Sequence, residues 1–250
     1  MTYFIFQFLL LMRVFRTSEP TCKINEAKSM LSCNDKTTIL DLHNKHRDLV
    51  AGGKTNLAEA RDMWVLQWDE NLANEAQEYA NKCIYKHDAG KQEGTGENIA
   101  WKASYKNNVA SVKELIAQWY DEIQYYNYLD LSNIKRTGHF TQMIWATSKY
   151  IGCGLAYYKD GSESPQPYQT MLMCIYKPPG NFRGEKPYKI YEGIRCAIGF
   201  KSIVYTSLCA HNEDHADGKY RIPCSGFIKL QPTAILIFIF LLCGYHHYNF

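Results

Sequence analysis

The chain has 250 residues, of which 46% are hydrophobic and 21% charged, with a formal net charge of +3. That balance belongs to a folded globular protein rather than a disordered one, and the length holds one ordinary domain plus extensions at both ends. No concentrated Lys/Arg face accompanies the small positive charge, which argues against a nucleic-acid partner.

Nine cysteines are spread along the chain at Cys22, Cys33, Cys83, Cys153, Cys174, Cys196, Cys209, Cys224 and Cys243. None forms a CxxC pair, so neither a zinc knuckle nor a thioredoxin-like redox motif is supported. Long spacings of this kind suit disulfides, which require an oxidising compartment. The apolar run Tyr3 to Met12 agrees, having about the length of a secretory h-region. Residues 1–21 therefore read as a signal peptide, followed by a Cys-containing segment at 22–35.

From Lys36 to Val50, the residues Ile39, Leu42, His43, His46, Leu49 and Val50 recur at helical spacing, and Gly52-Gly53 ends the pattern. His43 and His46 are three apart and could share a face. The commoner arrangement, one packed histidine and one at the solvated edge of the helix, is preferred, and neither is taken as a ligand. Asp69 offers an N-cap to a second helix with Leu72, Ala73, Ala76, Tyr79, Ala80 and Cys83 on one stripe. Gly94-Thr95-Gly96-Glu97-Asn98-Ile99 reads as a tight turn entering a short strand. A third helical stripe runs through Val112, Leu115, Ile116, Trp119, Tyr120 and Ile123.

The second half changes character. Ile151–Tyr158 and Gln169–Lys177 are rich in β-formers and flank the turn cluster Asp160-Gly161-Ser162-Glu163-Ser164-Pro165, so antiparallel pairing is expected. Helices followed by strands imply an α+β layered domain over residues 36–182. Residues 183–226 have little periodicity and three cysteines, which predicts a loop-rich, disulfide-stapled C-terminal extension. In the tail at 227–250, the apolar stretch Ala234 to Cys243 would span about 15 Å as a helix, against a ~30 Å hydrocarbon core. Ser225-Gly226, a short spacer and this stretch follow the order of a lipid-anchor attachment signal. Removal of the tail with Cys243 would leave eight cysteines, an even number.

His139 stands in Gly138-His139-Phe140-Thr141-Gln142-Met143-Ile144-Trp145, beside a glycine and flanked by aromatics that would hold the ring rigidly. His87 after the second helix, Glu97 in the Gly-rich turn and Glu122 in the third helix are the residues that could join it. Their spacing alone does not bring the four together. Gly138 to Trp145 resembles the first signature of the CAP superfamily, the cysteine-rich secretory proteins, venom antigen 5 and pathogenesis-related proteins. Met171 to Phe182 resembles the second, departing from it at Ile175. Leu42-His43-Asn44 with Arg47, Tyr85-Lys86-His87, Gly96-Glu97-Asn98 and Trp119-Tyr120-Asp121-Glu122 match in order, so the likeness covers about residues 36–182.

The resemblance implies a three-layer α-β-α sandwich with His87, Glu97, Glu122 and His139 lining a central cleft. It implies no required cofactor. Its two imidazoles, His87 and His139, could take a divalent ion such as Zn²⁺ with the carboxylates behind them; a His/Glu network that orders the cleft without metal is the other reading. Relatives imply small lipids, sterols or fatty acids, and an extracellular or host protein as partners, with an immunomodulatory or allergen-like role. Cys153 and Cys174 occupy positions the family bridges. The usual partner position of Cys83 is Tyr158 here, so its bridge must go elsewhere or be absent. Hydrolysis by the His/Glu set is the alternative function, and a purely structural interaction protein a third. No Gly-x-Ser-x-Gly or His-Glu-x-x-His string supplies a nucleophile or metalloprotease centre, so the protein is expected not to be an enzyme. It is expected outside the cell, secreted or held at the surface. Phosphatidylinositol-specific phospholipase C should release it from intact cells if the tail directs lipid anchoring; continued attachment after treatment would count against the anchor.

Overall fold

The computed structural model describes residues 22–25, 28–88, 92–130, 134–160, 164–190 and 193–211. The predicted leader at 1–21, the tail at 227–250 and the cysteines Cys224 and Cys243 lie outside them. Among the described residues, no helix is long and apolar enough to cross a membrane.

Helix α1, Cys33–Ala51, starts three residues before the predicted pattern because Ser32 caps it. Ser32 Oγ accepts from Asp35 N, and the Asp35 carboxylate accepts from Ser32 N in return, which satisfies two of the donors that a helix start leaves open. Helix α2, Glu70–Ala80, begins at the predicted N-cap, where Asp69 Oδ1 accepts from Asn71 N and Leu72 N. Helix α3, Val112–Tyr120, carries a second capping box on Ser111 and Glu114. It tightens into a 3₁₀ turn at Asp121–Tyr125, so Glu122 lies just past the helix that was expected to carry it. Helix α4, Ile134–Met143, contains most of the glycine-histidine string and has no counterpart among the predicted helices.

The strands are β1 (Lys23–Ile24), β2 (Gln67–Trp68), β3 (Gly96–Ser104), β4 (Tyr150–Lys159) and β5 (Tyr168–Lys177), with a small pair β6 (Phe200–Lys201) and β7 (Cys209–Ala210) in the extension. In the main sheet the order is β1-β4-β5-β3, and β2 adds in parallel to the start of β4. β4 and β5 pair antiparallel along their whole length, as expected from their composition. β3 is therefore an edge strand.

Alternation along the strands makes two apolar faces. Cys153, Leu155, Leu172, Cys174 and Tyr176 pack with α1, α3 and α4, while Ile99, Ala156, Tyr158, Met171, Met173 and Ile175 pack with α2. The result is the expected three-layer α-β-α sandwich. On the α2 side, a Cβ added to Gly152 or Gly154 would run into the α2 backbone at Ala73 and Gln77. These glycines set how closely helix and sheet approach.

Cys153 and Cys174 face each other across β4 and β5 and are bridged. Cys83 bonds to Cys22, which fastens the segment after α2 to the strand ahead of α1. Cys196–Cys209 staples the extension, and Cys33 is also disulfide-bonded. That extension is no loose appendage. Leu208 is fully buried, the Arg195 guanidinium donates to the carbonyls of Ala51, Ala60 and Ser207, and Ser207 N donates to Asp48.

One buried cation joins the layers. The guanidinium of Arg47, on α1, is fully enclosed. It donates to the carbonyl of Trp64 at 2.6 and 2.9 Å, and to those of Met143 at 2.9 Å and Trp145 at 2.8 Å. Ala146 and Ser148 accept at 3.3 Å each. Arg47→Ala would leave these buried carbonyls short of donors and open a cavity. Chemical denaturation should show a loss of roughly 3–5 kcal/mol; a loss below about 1 kcal/mol would mean that water replaces the guanidinium.

Candidate functional site

The site is organised at the start of edge strand β3. Gly96 opens that strand where a Cβ would collide with the Gln142 side chain of α4. The two residues that follow point to opposite faces of the strand, and each fixes one histidine.

Glu97 holds His87. The Glu97 side chain is 1% exposed, and its Oε2 accepts from His87 Nδ1 at 3.0 Å and from Asp88 N at 3.3 Å. The His87 side chain remains 65% exposed. A buried carboxylate thus anchors an imidazole that projects into solvent.

His139 is gripped more fully. Its Nδ1 donates to Glu122 Oε1 at 2.6 Å, and Glu122 Oε2 accepts from Phe140 N at 3.0 Å. The 3₁₀ turn after α3 aims Glu122 at α4 for this double contact. Trp119 on α3 stacks against the imidazole, with centroids 6.4 Å apart and planes 22° apart. From β3, Asn98 Nδ2 donates to the His139 carbonyl at 2.9 Å.

Asn98 also ties this site to the core. Its Nδ2 donates to the Tyr176 hydroxyl at 3.2 Å, and that hydroxyl lies 2.8 Å from His43 Nε2. The directions follow from chemistry. His43 Nδ1 lies 2.7 Å from the Ile39 carbonyl, which can only accept, so the proton sits on Nδ1 and Nε2 accepts from Tyr176. Burial lowers the His43 pKa to about 3 and raises that of Tyr176 far above its ordinary value, so both are neutral near pH 7. A directed chain of hydrogen bonds therefore runs from α1 through β5 and β3 to the backbone of His139.

The two histidines not taken as ligands behave as structural groups. His43 is fully buried, whereas His46 is half-buried and stacks on Tyr120 with centroids 3.6 Å apart. Desolvation lowers its pKa to about 4. Sequence reasoning quoted His43, Asn98 and Tyr176 inside matched strings but gave them no role. Alternation could have separated Asn98 from Glu97, but its pairing with Tyr176 depends on the β3–β5 register.

The contacts join the four predicted residues as two pairs, His87–Glu97 and His139–Glu122, which meet at β3, where Glu97 holds His87 and its neighbour Asn98 donates to the His139 carbonyl. Among the described residues, no three His, Cys, Asp or Glu side chains form a metal-ligand set. Each imidazole commits Nδ1 to a carboxylate, so Nε2 is the nitrogen left to meet a ligand. Carboxylate, imidazole and outward Nε2 form the arrangement that supports metal-bound histidines. An imidazole oriented in this way has the donor chemistry of a metal ligand, with water or an incoming group supplying further ligands.

Both signature strings converge behind this site. Thr141 Oγ1 donates to Asn181 Oδ1 at 2.7 Å, and Asn181 Nδ2 donates to the Gly138 carbonyl at 2.8 Å. The model of the cysteine-rich secretory protein family matches residues 40–176. The chain belongs to that family. Among its relatives, salivary antigen-5 of Dipetalogaster maximus is 32% identical over 200 residues, covering 74% of this chain and 78% of the relative. Venom allergen 5 of Vespula vidua is 36% identical over 187 residues, covering 69% and 88%. The solved structure of Na-ASP-1 superposes with a TM-score of 0.61 at 27% identity, covering 73% of this chain and 48% of that one. The structure of BmVAL-1, at 24% identity and a TM-score of 0.58 over 73% and 97%, shares the fold. CAP membership, the disulfides and these venom-allergen relatives mark a secreted protein.

The buried histidine gives the site a pH limit. In the unfolded chain, His43 would titrate near 6.5, whereas in the fold it resists protonation until about pH 3. Between those values the unfolded state binds more protons, so stability is complete above pH 6.5 and is lost as pH falls. The slope from His43 should be about 1.4 kcal/mol per pH unit. Denaturation midpoints measured from pH 7 to pH 4.5 should fall accordingly. The His43→Gln variant should show a flatter dependence, and an unchanged slope would show that His43 is not the titrating group.

Proposed function

We propose that this CAP protein is a secreted, allergen-like binding protein, not an enzyme, and that the two His–Glu pairs form its ligand-meeting site. The observation that carries this reading is the shared arrangement of the pairs. Two imidazoles are oriented through Nδ1 by partly or fully buried carboxylates, Glu97 on the edge strand and Glu122 in the turn after α3; Asn98, next to Glu97, holds the backbone of the second histidine, and each ring has Nε2 still to be used. In such a pair, the carboxylate fixes the tautomer and makes the outward nitrogen a better donor to a cation.

A divalent ion such as Zn²⁺ is the first ligand proposed, held by His87 and His139. When bound it would supply positive charge and exchangeable coordination positions at the protein surface, suited to bridging an extracellular partner protein. Glu97 and Glu122 would keep the rings aimed, and Asn98 would keep α4 in register with β3. Small lipids, sterols or fatty acids, form the second ligand class. The support for them is family membership, and they are assigned to no residue. Attachment to the cell surface through the C-terminal tail belongs to the same proposal.

Zn²⁺ titration by calorimetry near neutral pH should show binding that His87→Ala and His139→Ala each abolish. Glu122→Gln, which keeps the shape but weakens the orienting charge, should reduce affinity about 10–100-fold. Absence of heat with the wild-type protein would remove the metal reading. Native mass spectrometry of the protein with its co-purified small molecules should reveal bound lipid, retained in His139→Ala. Cleavage of any member of a peptide and ester panel, lost in His139→Ala with the fold intact, would establish a hydrolase instead.

A further inference from the structure

A second pocket opens at the opposite end of the sheet. It has a volume of about 520 Å³ and lies among β1, the far ends of β4 and β5, and the loop after β3. The two sites lie at opposite ends of β5. From Tyr176, beside Asn98, to Tyr168, in the pocket, is eight residues, about 26 Å of strand.

Charge is the first observation. Lys23 and Lys159 both line the pocket, and the antiparallel register sets them directly opposite each other. Like charges so placed repel. Among the described residues, neither ammonium has an ion-pair partner. Among the described residues, two strands therefore hold a pair of cations together with no anion between them.

A partly exposed ring, Tyr168, and amides are the second. Tyr157 and Tyr168 line the same pocket with planes 2° apart and centroids 6.3 Å apart. Tyr157 is fixed, since its hydroxyl donates to Asn107 Oδ1 at 2.6 Å and its backbone carbonyl accepts from Asn25 N and Ser29 Oγ. Lys28 donates to the same Asn107 oxygen and lies over the Tyr157 ring at 5.1 Å. With Oδ1 taken twice, the Asn107 side chain has its NH₂ donors left, and Asn25 adds a second amide at the rim.

We propose that this pocket binds an acidic sugar unit, a saccharide carrying sulfate or carboxylate groups. A sugar ring presents an apolar C–H face, which suits the half-buried Tyr168 ring, with the buried Tyr157 ring parallel to it as its support. Its hydroxyls match amide donors, and its anionic substituents bridge the opposed ammoniums. The open, largely polar lining does not suit an acyl chain, which needs desolvated apolar walls. An anion alone would use the lysines and leave the Tyr168 ring and the amides without a role.

The test titrates the full chain with a sulfated heparin-derived tetrasaccharide, its desulfated counterpart and inorganic sulfate. The sulfated sugar should bind, more weakly as salt rises. The desulfated sugar and inorganic sulfate should each bind at least tenfold more weakly. Lys23→Gln with Lys159→Gln should weaken sulfated-sugar binding at least tenfold, while the ligand-free variant melts at or above the wild-type temperature because a repulsion is gone. Tyr168→Ala, which removes a ring and no charge, should weaken it about as much. Equal binding of sulfate alone, no binding of the sulfated sugar, or unchanged affinity in the variants would each overturn the proposal.

Discussion

A fully buried guanidinium, donating to backbone carbonyls from two distant stretches of chain, is the constraint on which the rest of this molecule depends. Arg47 draws α1, the segment before β2 and the α4–β4 connection to one point. Desolvation disfavours such a charge, and its pKa is lowered to about 9. It remains charged near pH 7, because a planar group with five N–H donors satisfies several carbonyls that no apolar residue could. Since those carbonyls include Met143 and Trp145, at the end of α4, the helix carrying His139 is positioned from within the core.

Buried polar groups repeat this logic on a smaller scale. Asn44 both donates to and accepts from Leu66, pairing α1 with the chain ahead of β2. His43, Tyr176 and Asn98 extend the pattern from α1 to His139. The site is thus the surface end of a network whose other members are neutral and buried. Neutrality matters, because a charged His43 in this setting would have no anion to meet. The polar cost of the interior and the orientation of the site arise from the same residues.

The extension shows how a region without periodicity can still be ordered. Its small β6–β7 pair, the Cys196–Cys209 bridge and the Arg195 contacts replace the apolar stripe that a helix would offer. Disulfides act likewise at the other end, where Cys22–Cys83 secures a two-residue strand too short to hold by pairing alone. The same short strand sets Lys23 against Lys159, so one covalent tie shapes the charge of the second pocket.

Local physics made much of this protein legible from its residues. Asp69 was readable as an N-cap, the 3.6-residue stripes as α1 to α3, and β4 and β5 as neighbours, because each rests on interactions within a few residues or on one well-marked turn. Ordered strings placed His87, Glu97, Glu122 and His139 in a family, but no spacing rule paired them. Helix α4 was not anticipated, because Gly138 and β-branched Thr137 and Thr141 weaken its helical signal, and its support comes from Asn181 and Glu122, far along the chain. The partner of Cys83 was equally beyond sequence, since nothing local distinguishes Cys22 from the other cysteines. Pairings across the sheet, the buried polar network and the opposition of two lysines are properties of register and packing. Only the folded chain decides them, because their energies depend on which distant groups are desolvated together.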